Sequence, residues 1–279
     1  MDQQSKGILI LIRSFSGIIL LCTLALSGCN GCSSNNNDGN VNVNGNSNGN
    51  ANRSGFTPPT PIKPASTVDP NFKSCNQFFP LVPGSSARYV ISYSSGLVAD
   101  ATVVVDASEE NGRKVFFERT QIIDRSGGLE ITQTSERKYA CDGERVQLIS
   151  EKTQSDVAGQ KSNSEFKYRD NSVAMVDPAS MSRKGTTWQY AFTKVFNRPG
   201  DPPAVVDEPT FVTFEVEGDD EVSIPVGKFK AVKVIRKVGE NRITEYFVRG
   251  LGLVKRVATE GTQWELREFG GLKATDKAE

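Results

Sequence analysis

Cys29 and Cys32, in "CTLALSGCNGCSSNNN", stand two residues apart, the spacing of a redox dithiol or of half a zinc site. Either chemistry needs a setting that stabilises thiolate: a strand–helix turn, a nearby histidine or a basic cluster. None is present. The chain has no histidine, and the residues after Cys32 are rich in Asn, Gly and Ser. What precedes the cysteines fits an address better. Lys6 and Arg13 give a basic start, and residues 14–27 are uncharged and mostly apolar. A membrane-spanning helix needs roughly 20 such residues. A secretory signal needs about 7–15, ending in small residues. An uncleaved anchor is the competing reading, and Arg13 shortens it.

Leu26-Ser27-Gly28-Cys29 resembles the lipobox of bacterial lipoproteins. The resemblance implies that Cys29 carries a diacylglyceryl group on sulfur, that the signal is cut before it, and that the new amino group is acylated. Palmitate is then an expected label. Two or more acyl chains, at about 0.8 kcal/mol per buried methylene, hold a protein stably on a membrane. Asn30 stands where such lipoproteins carry Asp when retained in the inner membrane. The resemblance thus implies a cell-envelope protein, on the outer membrane facing the periplasm rather than on the inner membrane.

With Cys29 committed to lipid, the pair with Cys32 dissolves and Cys32 is left over. Cys22 leaves with the signal. Cys75 and Cys141 lie in the folded part, and export makes a disulfide between them permissible. It would close a loop of about 66 residues, worth roughly 4 kcal/mol in the chain-entropy model. Two buried thiols are the alternative.

Composition excludes several functions. The chain carries 33 basic and 33 acidic side chains, and signs alternate along it, so there is no nucleic-acid footprint. Lack of histidine removes Ser-His-Asp and Cys-His nucleophiles and most catalytic zinc sites. Paired-carboxylate chemistry survives in principle, but no acid pair stands out. The expectation is a protein with no cofactor, no metal and no catalytic residue.

Residues 30–55 hold 11 Asn and 5 Gly and almost no large apolar side chain, so they cannot offset the entropy of ordering. "TPPTPIKPASTVDP" follows, stiff with proline. A calcium tract is the rival reading of the Asn/Gly run, but only Asp38 supplies a carboxylate there. The expected organisation is a signal over residues 1–28, a lipidated cysteine and disordered linker over 29–71, a β domain over 72–270 and a flexible tail over 271–279.

From residue 72 the texture changes to runs of 6–12 residues, rich in β-branched and aromatic side chains and separated by Gly, Asn and Asp. In "TFVTFEVE", Val212, Phe214 and Val216 point one way and Thr213, Glu215 and Glu217 the other. In "KAVKVIRKV", Val232, Val234 and Val238 share a face with Arg236. "DPASMSRKG" has room for a helical turn. Sequential strands with short turns predict a mostly β domain with little helix: one curved antiparallel sheet, a half-barrel or open barrel.

"FFPLVPGSSARY" and "IPVGKFKAVKV…EYFVRGLGLVKR" resemble the opening and ending of a group of envelope lipoproteins of unknown function. The matching positions are Phe79, Pro80, Leu81, Gly84 and Tyr89, then Pro225, Gly227, Phe229, Ala231, Val234, Tyr246, Phe247, Gly250, Gly252 and Val254. Ala87 departs from that group's Trp. Such proteins are likened to the half-barrel of the lipoprotein carriers LolA and LolB, which implies a concave face for lipid or lipoprotein.

An apolar ligand there would meet Trp188, Tyr190 and Phe192, three aromatics at period two, and a partner stripe of Tyr89, Ile91 and Tyr93. Both stripes also read as plain core. Two functions stand side by side: a lipid-anchored module holding an apolar ligand on its concave face, or a non-catalytic structural lipoprotein presenting a β surface to an envelope protein. The first needs an open apolar groove, the second a filled core.

Overall fold

The computed structural model describes residues 14–15, 18–19, 61–125, 130–157, 159–169, 172–197, 204–205 and 209–275. Ser14–Phe15 and Ile18–Ile19 form a two-residue antiparallel ladder. Cys29, Cys32 and the Asn-rich linker lie outside the described residues. A separate compact unit runs from Thr60 to Glu279.

Twelve long strands build that unit. They are β1 (Ser86–Ser92), β2 (Val98–Glu110), β3 (Arg113–Asp124), β4 (Ile131–Asp142), β5 (Arg145–Val157) and β6 (Gln160–Tyr168). The second half comprises β7 (Thr187–Asn197), β8 (Thr210–Ile224), β9 (Gly227–Val238), β10 (Asn241–Val248), β11 (Gly252–Ala258) and β12 (Gln263–Gly270). Each pairs antiparallel with the next in sequence. β12 then pairs with β1, Trp264 opposite Ile91 and Leu266 opposite Tyr89. The sheet is a closed up-and-down barrel, which corrects the expectation of a half-barrel or open barrel. The physical reason is twist. A dozen right-twisted strands cannot stay flat, and joining the two ends pairs backbone groups that an open sheet would leave unmet.

Turn chemistry sets the hairpins. Asn111 and Gly112, at φ 51° and 74°, join β2 to β3 in the left-handed conformation that suits a right-twisted ribbon. Pro225 and Val226 join β8 to β9. Between β6 and β7 the chain makes one excursion. It adds a short strand, Val173–Met175, to β5. Then comes the single turn of helix, Pro178–Met181, that "DPASMSRKG" leaves room for. Asp177 caps it by accepting from the Ser180 amide at 2.9 Å, with Pro178 at the first position.

Residues 61–85 lie on the barrel as a strap. Asp106 accepts from the Ala65 and Ser66 amides at 2.8 and 3.2 Å. Asn76 is wholly buried. Its amide donates to the Glu144 and Val176 carbonyls at 2.7 and 2.8 Å, and its oxygen accepts from the Phe78 and Phe79 amides. Next to it, Cys75 and Cys141 are joined in a disulfide. The strap is thereby tied to the β4–β5 turn and to the excursion. Phe78 and Leu81 are buried, while Phe79 packs edge-on against Tyr139.

Candidate functional site

Alternation and register decide what faces inward. Opposed residues share a face, so Trp188 opposite Phe214, Phe214 opposite Arg236, Glu245 opposite Arg256, and Arg256 opposite Trp264 trace one continuous surface. The same surface carries Phe116, Glu118, Arg137, Tyr139, Glu151 and Phe166. Beyond the register shift at Val216/Gly218, Val222, Ile224, Phe229 and Ala231 of the β8–β9 hairpin form an apolar cluster with Tyr89, Val254 and Leu266.

The middle of the interior is charged. On β3–β5, Arg137 lies between two carboxylates, with Nη1 3.4 Å from Glu118 Oε1 and Nη2 3.1 Å from Glu151 Oε1. On β9–β11, Glu245 lies between two guanidiniums: Arg256 Nε and Nη2 reach Oε1 at 2.8 and 2.7 Å, and Arg236 Nε at 3.4 Å. The two triads carry opposite excess charge and act on one another, Glu118 with Arg256 and Arg137 with Glu245. Tyrosines fill the gaps. Tyr168 donates to Glu151 at 2.6 Å and Tyr89 to the Leu253 carbonyl at 2.8 Å.

Burial and charge compete at each acid. Desolvation lifts the Glu118 carboxyl above its usual range, and Arg137 offsets this only in part. Desolvation also acts on Glu245, but Arg236 and Arg256 outweigh it and hold that carboxyl below the usual range. Burial, with Glu118 second, raises Tyr89; burial, with Glu151 second, raises Tyr168. Lys194, partly buried on β7 and attracted by Glu151, is lowered by burial.

The aromatic stripe of β7 lies inside this surface. Trp188 stacks on Phe214 at 4.8 Å and 3°, Tyr190 meets Tyr168 and Phe214, and Phe192 meets Phe166 and Tyr168. All three are nearly inaccessible, as are Tyr89 and Ile91. Tyr93 is partly exposed beside Asp124, and burial followed by that carboxylate raises it. The structure therefore brings Trp188, Tyr190 and Phe192 together, places Tyr89 beside Trp264 at 5.9 Å, and leaves Tyr93 near the barrel's rim. An open groove of about 520 Å³ lies elsewhere, across β3–β6, lined by Arg119, Thr134, Glu136, Lys152, Gln154 and Asn163 among others.

Sequence reasoning finds the aromatic stripe and misses the charges. Glu118 and Glu151 are the acid pair that the sequence does not reveal, and Arg137 bridges them. One signal was available: a lone charge on an apolar face, as with Arg236 among Val232, Val234 and Val238, or Arg256 between Val254 and Ala258. At Glu151 a register shift opposite Lys138 and Tyr139 breaks the alternation and hides it. No group of three or more side chains able to hold a metal occurs among the described residues. No helix among them is long and apolar enough to cross a membrane.

No protein-family model matches the chain, and no curated protein matches it. Among solved structures, the chain is similar to a β-barrel-like protein of a domain of unknown function, DUF1849, from Brucella abortus. The TM-score is 0.37 and the identity 9%, over 68% of this chain and 98% of that one.

Proposed function

We propose that the chain is a lipid-anchored, non-catalytic cell-envelope protein whose closed barrel works through its outer surface, on a protein partner. The observation that carries this reading is the interior. Two ion triads, their tyrosines and stacked rings occupy the inward face, so an acyl chain entering there would have to displace paired charges, a strongly unfavourable exchange. The carrier reading, with an apolar ligand against Trp188, Tyr190, Phe192, Tyr89 and Tyr93, has less support, because four of these are already packed. Membrane attachment through acyl chains rests on the lipobox at Cys29, and placement on the outer membrane, facing the periplasm, on Asn30.

The test uses the full chain in cells. Palmitate should label the native protein and not Cys29→Ser. Photo-cross-linkers at outward positions such as Lys152 and Phe211 should give one dominant protein adduct that cross-linkers at Trp188 and Tyr190 do not. A fluorescent fatty acid that binds the purified chain and is weakened by Trp188→Ala would instead establish the carrier reading.

A further inference from the structure

The strap crosses the outer face of the barrel in a definite direction. Thr67 and Val68 pass Gly84, just ahead of β1, so closely that a Cβ there would lie 2.6 Å from their backbone. Ala65 and Ser66 donate to Asp106 on β2, at 2.8 and 3.2 Å. Ile62 donates to Gln121 on β3, at 3.2 Å. Towards the N-terminus the chain thus moves one strand at a time, from β1 to β2 to β3. The open groove of about 520 Å³ continues from there across β4, β5 and β6, and Ile62 lines it on the β3 side.

Two rows of opposed outward side chains run along the groove. One is Gln121, Thr134, Gln154 and Asn163; the other is Arg119, Glu136, Lys152 and Glu165. Gln121 already holds the strap by its backbone. Beyond it, the side chains of Thr134, Gln154, Asn163, Glu136, Lys152 and Glu165 make no hydrogen bond or ion pair with any described residue. Elsewhere on the outer face opposed charges close up, Lys255 on Glu265 at 2.7 Å and Arg88 on Glu268 at 3.0 Å. Lys152 is opposed by both Glu136 and Glu165 and closes on neither.

What precedes Pro61 is Thr57-Pro58-Pro59-Thr60. Three strand spacings, about 14 Å, separate β3 from β6, and five proline-rich residues reach about 15 Å. Proline has no N–H, so such a segment is poorly suited to join a sheet as a strand. Its carbonyls need side-chain donors instead, and Thr134, Lys152, Gln154 and Asn163 are donors. Because the segment is joined to the strap at Pro61, it meets the groove at an effective concentration in the millimolar range. A few hydrogen bonds then suffice to hold it.

We propose that residues 57–60 dock in the groove across β4–β6, carrying the strap on to β6 and moving the point where the linker leaves the barrel from β3 to β6. The segment covers this part of the outer face, and a partner that reaches Lys152 in the cell does so by displacing it.

The contact lies within one chain, so the purified full chain tests it without a partner or a membrane, and apart from the partner reading. A photo-cross-linking residue in place of Asn163 should give adducts that mass spectrometry maps to residues 56–60. The same residue in place of Lys255, on β11, should give none there. Lys152→Ala/Gln154→Ala removes two outward donors and leaves the core untouched; it should lower the yield from position 163 about tenfold. Mixing nitrogen-15-labelled with unlabelled chains identifies adducts between copies. Such mixed adducts would place a second copy in the groove and overturn the proposal. So would equal yields from positions 163 and 255, the absence of any adduct to residues 56–60, or an unchanged yield in the double variant.

Discussion

Arg256 meets Glu245 with two nitrogens at a single oxygen, 2.8 and 2.7 Å away, inside a closed barrel. Arg236 approaches the same oxygen at 3.4 Å. Removing the carboxylate leaves two buried guanidiniums facing each other. Glu245→Gln should therefore lower stability by about 3–5 kcal/mol, read as a shifted urea midpoint with unchanged slope. Adding Arg256→Met to it should restore part of the loss, because the remaining mismatch is smaller. A double variant as unstable as the sum of the singles would mean that the two side chains do not act as a pair.

Glu118 and Glu245 should bend the pH profile in opposite senses. The Glu245 carboxyl is held low by Arg236 and Arg256 against the effect of burial. Its contribution is present above the unfolded-state value of about 4.3 and is lost as pH falls through the lower folded value. Glu118 is raised by burial, so its contribution is present below about 4.3 and is lost as pH rises through the raised folded value. Denaturant midpoints between about pH 3 and pH 8 should show Glu245→Gln removing the acid-side decline. Glu118→Gln should flatten the decline on the neutral side.

The disulfide Cys75–Cys141 spans a sequence separation of 66 and ties the strap to the barrel. Its loss should cost about 4 kcal/mol in the chain-entropy model. Calorimetry of Cys75→Ser/Cys141→Ser should give a lower melting temperature, and reductant should lower that of the native chain by the same amount. An unaltered melting temperature would show that the strap's hydrogen bonds, those of Asn76 and Asp106 among them, hold it without the disulfide.

Gly250 has φ +80°, and a Cβ added there would sit 1.8 Å from the Lys273 carbonyl oxygen. Gly96 has nearly the same φ, but nothing lies within 4 Å of its Cβ position. Gly96→Ala should cost only the left-handed conformation, about 1–2 kcal/mol. Gly250→Ala should cost clearly more, since it also forces the C-terminal segment off the barrel. Faster proteolysis after residue 270 in that variant, and not in Gly96→Ala, would locate the damage.

Strand content was readable because alternation in runs such as "TFVTFEVE" is a local property. Closure was not. It depends on Leu266 finding Tyr89 and on Phe192 finding Tyr168, pairings between distant segments that leave no mark in either run alone. The aromatic stripe of β7 was legible for the same local reason as the strands. The triads were not, because Arg137 and Glu151 look like ordinary surface charges until the register turns them inward. The register shift beside Tyr139 conceals Glu151 further.

Joining β12 to β1 also imposes an order in time. Arg88 and Glu268, bonded at 3.0 Å across that seam, are 180 residues apart in the chain. A chain delivered across a membrane from its N-terminus would present β1 as an exposed edge until residues 263–270 emerge. Throughout that interval, another copy's strand could take the place meant for β12.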